Sequence, residues 1–216
     1  MSTDTVIVAT LRGAYRSLPA LLVASAALCV AATLPVLAAP GINAVSIALY
    51  AALAPPFLAA LSAIGNSAAF GDMAGIADWA RALRSYAVFG LRQGLIAGVA
   101  AELFLAALRV WSNGHPIWVL PSLALTGAAA ILALSGLAAV LPLGIARPKL
   151  RGARLWITAL HLVARRPGRF AAIFSLTGLG LWAAITWSAS ALLLVPAPAI
   201  VVTVAAVWTT AAEATR

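Results

Sequence analysis

Six stretches of the chain, at about 18–38, 43–65, 88–110, 117–143, 168–192 and 196–214, are almost continuously apolar, and Arg, Lys, Asp and His gather in the segments between them. An α-helix rises about 1.5 Å per residue, so stretches of this length cross a hydrocarbon core of roughly 30 Å. The pattern predicts an all-α, polytopic transmembrane helical bundle of about six spans, arranged as three hairpins with amphipathic cytoplasmic helices. The whole of 1–216 is expected to form a single integral membrane domain. Pro55 and Pro56 lie inside the second stretch, and Pro121 and Pro142 inside the fourth. A proline inside a helix removes one backbone bond, which membrane bundles tolerate, so kinks rather than breaks are expected there.

Composition closes off the soluble alternative. Hydrophobic residues make up 64% of the chain and charged ones only 9%, against about 25% charged in soluble domains. A soluble fold of this size could not cover its surface. The single cysteine, Cys29, lies within the first stretch, which rules out an internal disulfide and a cysteine metal site. Arg12 and Arg16 ahead of an apolar run resemble the start of a secretory signal, but Leu18 to Ala38 is longer than a signal core, so a retained first helix is expected.

Charge sets the orientation. Arg12 and Arg16 precede the first stretch, Arg81 and Arg84 lie in 66–87, and Arg147, Lys149, Arg151, Arg154, Arg165 and Arg166 crowd 144–167. Of the alternate connections, 39–42 and 193–195 carry no charge and the third has only Arg109 and His115. Cytoplasmic loops retain Arg and Lys, so the reading is a multi-pass protein of the plasma membrane with its N-terminus and C-terminus cytoplasmic. Five spans would move the C-terminus to the other side. The net charge of +9 then matches anionic lipid headgroups rather than nucleic acid, for which no connection is long enough to form a soluble domain.

A layout recurs over about 12–65, 81–143 and 164–214: a basic amphipathic lead-in, a span, a tight turn with proline, and a returning span. Arg16, Arg92 and Arg169 fall 76 and 77 residues apart, and the turns at Pro40-Gly41, His115-Pro116 and Pro196-Ala197-Pro198 follow a similar period. Any run of membrane hairpins obeying the charge rule looks somewhat alike. A true repeat would place a site at the repeat interface.

Candidate chemistry is sparse. Gly90, Gly94 and Gly98 align on one helix face and let another helix approach closely. Glu102 is the acid well inside an expected span, and such a carboxylate should face the bundle interior, be protonated, or pair. Arg92, Arg109 and Gln93 are its candidate partners, as a cation or proton site or as a structural polar contact. In 150–165, apolar residues alternate with Arg151, Arg154, His161 and Arg165 as in an interfacial amphipathic helix. With Arg166 and Arg169 these form a surface either for headgroups or for a cytoplasmic partner. Asp72 and Asp78 read as neutralised by Arg81 and Arg84. His115 and His161 fall on opposite sides of the membrane, and no catalytic, metal-binding or cofactor-binding motif is present, so the chain is read as not an enzyme.

Leu34-Pro35-Val36 with Pro40-Gly41, the stretch from Trp79 through Arg84 and Tyr86 to Gly90, Arg92 and Gln93, Arg147-Pro148, and Arg166-Pro167 together resemble the YesL family of bacterial membrane proteins, the domain-of-unknown-function 624 family. Ala38-Ala39-Pro40-Gly41 departs from the family's usual turn. The resemblance implies an accessory role in carbohydrate uptake or its regulation beside an ABC-type sugar uptake system, with no catalytic residues to carry over. The coupling loop of an ABC permease is not visible in the connections. Two readings follow: a non-enzymatic accessory membrane protein, and a small secondary transporter using the Glu102 carboxylate.

Overall fold

A computed structural model describes residues 3–114, 116–186 and 193–214. Among them the chain is helical, with no strand: α1 (Thr3–Arg16), α2 (Leu18–Ala38), α3 (Ala44–Ala69), α4 (Ile76–Ser112), a 3-10 turn (Ile117–Val119) leading into α5 (Leu120–Ala146), α6 (Ala153–Arg165), α7 (Pro167–Thr186) and α8 (Pro196–Ala214). Five of the helical segments, α2, α3, α4, Ile117–Ala146 and α8, are long and apolar enough to cross a membrane. That fits a multi-pass integral membrane protein. α7 covers the first part of the stretch expected at 168–192; positions 187–192, like His115 and Arg216, lie outside the described residues.

Local chemistry explains the boundaries. Asn43 caps α3 reciprocally: its Oδ1 accepts from the Ser46 N–H at 2.9 Å, and Ser46 Oγ accepts from the Asn43 N–H at 3.0 Å, satisfying two helix-end donors. Asp78 Oδ2 accepts from the Gly75 N–H at 2.8 Å where α4 begins. Gly41 and Gly71 turn the chain at φ of 89° and 84°, a region that disfavours any side chain. The helices run on through Pro55, Pro56 and Pro142. Pro121 instead sits in the first turn of α5, where its missing N–H would have had no partner.

Two elements differ from the sequence expectation. α4 is one helix of 37 residues, about 55 Å long, joining the expected 66–87 connection to the expected span. No glycine or proline interrupts 76–89, and Ala, Leu and Arg favour continuation. α1 is a helix in its own right, where only an amphipathic lead-in from residue 12 was expected. It ends at Ser17, whose Oγ accepts from the Ala74 N–H at 3.0 Å and so ties the start of α2 to the chain leading into α4.

The interior is built from small side chains. Ala20, Ala24, Ala59, Ala60, Ala68, Ala139 and Ala159 are buried, while large apolar side chains such as Val99, Leu103, Leu125, Ile131 and Leu179 point outward. Lipid-facing helices show this inversion, because close backbone approach rather than water exclusion holds them together. The glycine face of α4 is the clearest case. A Cβ at Gly90 would strike the Pro55 carbonyl, one at Gly94 the Pro55 ring, and one at Gly98 the Ala51 side chain. The partner of Gly90, Gly94 and Gly98 is therefore α3 of the same chain. Returning helices α3, α5 and α8 begin at 44, 120 and 196, 76 residues apart each time.

Candidate functional site

Polar contacts among the helices concentrate at one end of the bundle. The side-chain amide of Asn66, near the end of α3, donates to the Pro142 carbonyl near the end of α5 at 2.8 Å, and its Oδ1 accepts from Trp208 Nε1 in α8 at 2.9 Å. Asn66 thus joins all three returning helices. The Trp208 ring also tilts against Phe70 at 5.2 Å and lies 5.9 Å from the Arg147 guanidinium, a cation–π distance. At the same end, Arg169 of α7 reaches α8: its Nη2 bonds Glu213 Oε1 at 2.6 Å, and its Nη1 donates to the hydroxyls of Thr209 and Thr210 at 3.0 and 3.2 Å. Arg166 Nε holds the second Glu213 oxygen at 3.1 Å.

These contacts put the ends of α3, α5 and α8 beside the starts of α2 and α7. Arg12, Arg16, Arg81, Arg84, Arg147, Lys149, Arg151, Arg154, Arg165, Arg166 and Arg169 belong to segments at this end, while Arg92 lies midway along α4, between Gly90 and Gly94, which pack on Pro55 of α3. Arg109, in the last turn of α4, lies at the other.

Within the basic end, α6 buries Leu155, Ala159 and Leu162 and turns Arg154, His161 and Arg165 outward. Arg151, Arg154 and Arg165 make no ion pair among the described residues, whereas Arg166 and Arg169 are engaged with Glu213. The five arginines assigned to one docking surface thus divide into an outward set and a set that fastens α7 to α8. Asp78 pairs with Arg81 at 2.8 Å.

Glu102 and its candidate partners do not converge. Gln93 Oε1 accepts from Trp156 Nε1 of α6 at 2.7 Å. Arg92 lies about 15 Å along the helix axis from Glu102 and Arg109 about 10 Å in the other direction. Glu102 itself is half-buried and makes no hydrogen bond or ion pair among the described residues. It lines neither the apolar hollow of about 630 Å³ between α5, α6 and α7 nor a second, more polar cavity of about 340 Å³.

That second cavity lies at the seam of α4, the end of α5 and the start of α6. Tyr86, Phe89, Arg92, Gln93, Arg151 and Leu155 line it, with the backbone around Pro148 and Gly152. No acidic residue contributes. Sequence reasoning had put Arg92 with Glu102 and Arg151 with the outer face; folding α6 back against α4, fixed by the Trp156–Gln93 bond, brings the two arginines to one hollow. Among the described residues no three His, Cys, Asp or Glu side chains are placed to hold a metal ion.

No family model, no curated protein and no solved structure matches the chain.

Proposed function

We propose that the chain is a non-enzymatic accessory protein of the plasma membrane, a bundle of six spans with α7 as the fifth, both termini cytoplasmic, and the basic end facing the cytoplasm. One observation carries this reading: α6 packs its apolar face into the bundle and holds Arg154 and Arg165 outward with no carboxylate partner among the described residues. An amphipathic helix so placed serves anionic headgroups or an acidic partner surface. The partner class, an ABC-type carbohydrate uptake system, comes from the YesL resemblance alone. The test is purification in gentle detergent from the native membrane with identification of co-purifying proteins, alongside Arg154→Glu with Arg165→Glu. Loss of a specific uptake component in the double variant is expected; a partner set unchanged by the reversal would contradict it. A reporter fused at the C-terminus and active only in the cytoplasm checks the even span number.

A second reading, a small secondary transporter, is favoured by the Glu102 carboxylate within α4, which has no partner among the described residues. In that case Glu102→Gln abolishes flux in proteoliposomes while expression persists; in the accessory reading the same variant is silent.

A further inference from the structure

We infer that the cavity between α4 and α6 is a binding site for a phosphate group presented at the membrane surface, either the phosphodiester of an anionic lipid headgroup or a soluble organic phosphate. The site deepens the reading of the basic end and rests on it for the placement at the cytoplasmic surface.

Two guanidinium groups line the hollow, and neither has a carboxylate partner among the described residues. Arg92 makes no hydrogen bond or ion pair among the described residues, and Arg151 uses its Nε to donate to the Pro148 carbonyl at 3.1 Å. That bond orients the Arg151 plane and leaves its terminal nitrogens for a ligand. Like charges lining one hollow repel, and an anion between them removes the repulsion while taking up fork-shaped donors suited to phosphate oxygens.

The hollow is formed rather than incidental. Gln93 is held by Trp156 at 2.7 Å, which fixes α6 against α4, and Gly152 takes a φ of 57° to turn the chain into α6. Gly144 forms part of the wall because a Cβ there would meet Phe89 and Leu155. At about 340 Å³, the volume falls at the small end of ligand sites, adequate for a phosphate with a glycerol-sized substituent. Phe89 and Leu155 offer apolar wall to the carbon part, while Tyr86 adds a hydroxyl.

The experiment uses the full chain in neutral detergent. Native mass spectrometry reads retention of phosphatidylglycerol against phosphatidylcholine, and thermal unfolding reads stabilisation by glycerol 3-phosphate. Variants are Arg92→Gln with Arg151→Gln, the charge-keeping Arg92→Lys with Arg151→Lys, and Arg12→Gln with Arg84→Gln as a control at the same end outside the cavity. The proposal expects the Gln pair to weaken binding of one or both probes by about tenfold or more, the Lys pair to weaken it less, and the control to match the wild type. An effect on phosphatidylglycerol alone assigns the site to lipid, and one on glycerol 3-phosphate alone to a soluble phosphate. Should the Gln pair fail to fold, Arg151→Gln alone, in an exposed loop, carries the same expectation. Wild-type binding of both probes by a folded Gln variant, or equal losses in the control, would overturn the site. The partner reading is tested separately by Arg154 and Arg165, so either can fail without the other.

Discussion

Asn66 and Pro142 stand 2.8 Å apart, amide donor to backbone carbonyl, in a buried contact between helices 76 residues apart in the chain. With the Trp208 indole on its other side, this one side chain closes α3, α5 and α8 together. Asn66→Ala strands the Trp208 indole N–H and takes from the Pro142 carbonyl its second donor, leaving that carbonyl only its bond within α5, and a stranded polar group costs about 1–3 kcal/mol when buried. Because Trp208 is only half-buried, the expected loss is about 2 kcal/mol, read by thermal unfolding in detergent. Asn66→Asp should be worse, since it replaces the donor facing Pro142 with a second acceptor.

Gly94 tests the α3–α4 interface. A Leu there must displace the Pro55 ring and the Ala51 backbone, and overpacking of this kind costs about 1–3 kcal/mol. Gly178→Ala, in α7 with open space around it, should leave stability unchanged or raise it by up to about 1 kcal/mol, since Ala favours a helix interior over Gly. Equal responses would mean that α3 does not seat on the glycine face.

The membrane helices were legible because apolar runs of sufficient length have few alternatives; the stretch expected at 18–38 coincides with α2. The length of α4 was not, since its polar lead-in and apolar span look like separate segments until helix continuation is weighed across 76–112. α1 was missed for a related reason: Thr3–Arg16 has too few apolar residues to stand out in a search for spans, and its buried Thr10 and the Gly13 seat on Ala68 appear only once α3 is in place.

Site residues divide in the same way. Gly90, Gly94 and Gly98 announce a close contact by spacing alone, although the sequence does not say with what. Asn66 lies one position beyond the expected end of its span, at 65, so it read as a loop residue. A polar side chain at the rim of an apolar run was the available signal. Its meaning depends on residues 76 and 142 positions away, which local pattern does not supply. Glu102 drew attention as an intramembrane acid, yet the pairing with Arg92 was sought along one helix when Arg92 belongs with Arg151 across two.

Trp156 and Gln93 define the seam that shapes the cavity. Trp156→Phe removes the 2.7 Å bond and should cost about 1 kcal/mol, whereas Trp156→Phe combined with Gln93→Leu should recover part of it, because no polar group is then left stranded. Thermal unfolding of the two single variants and the double gives the coupling; simple addition of the single effects would show that the bond is not formed in solution.

Arg169 and Glu213 fasten α7 to α8. Arg169→Gln and Glu213→Gln should each lower the unfolding temperature, and the double variant should fall short of their sum. The coupling should shrink at high salt, since both side chains are partly exposed and screening reaches them. A coupling of zero at low salt would remove the clamp.

The basic end should face the cytoplasm, and thiol labelling in intact cells tests this most directly. In a Cys29→Ala background, Pro40→Cys and Asn113→Cys mark one end of the bundle, Asp72→Cys and Lys149→Cys the other, all at exposed positions. A membrane-impermeant maleimide should label positions 40 and 113 in intact cells, and positions 72 and 149 only after permeabilisation. Labelling of position 72 or 149 in intact cells would contradict the orientation on which the docking surface and the phosphate site both depend.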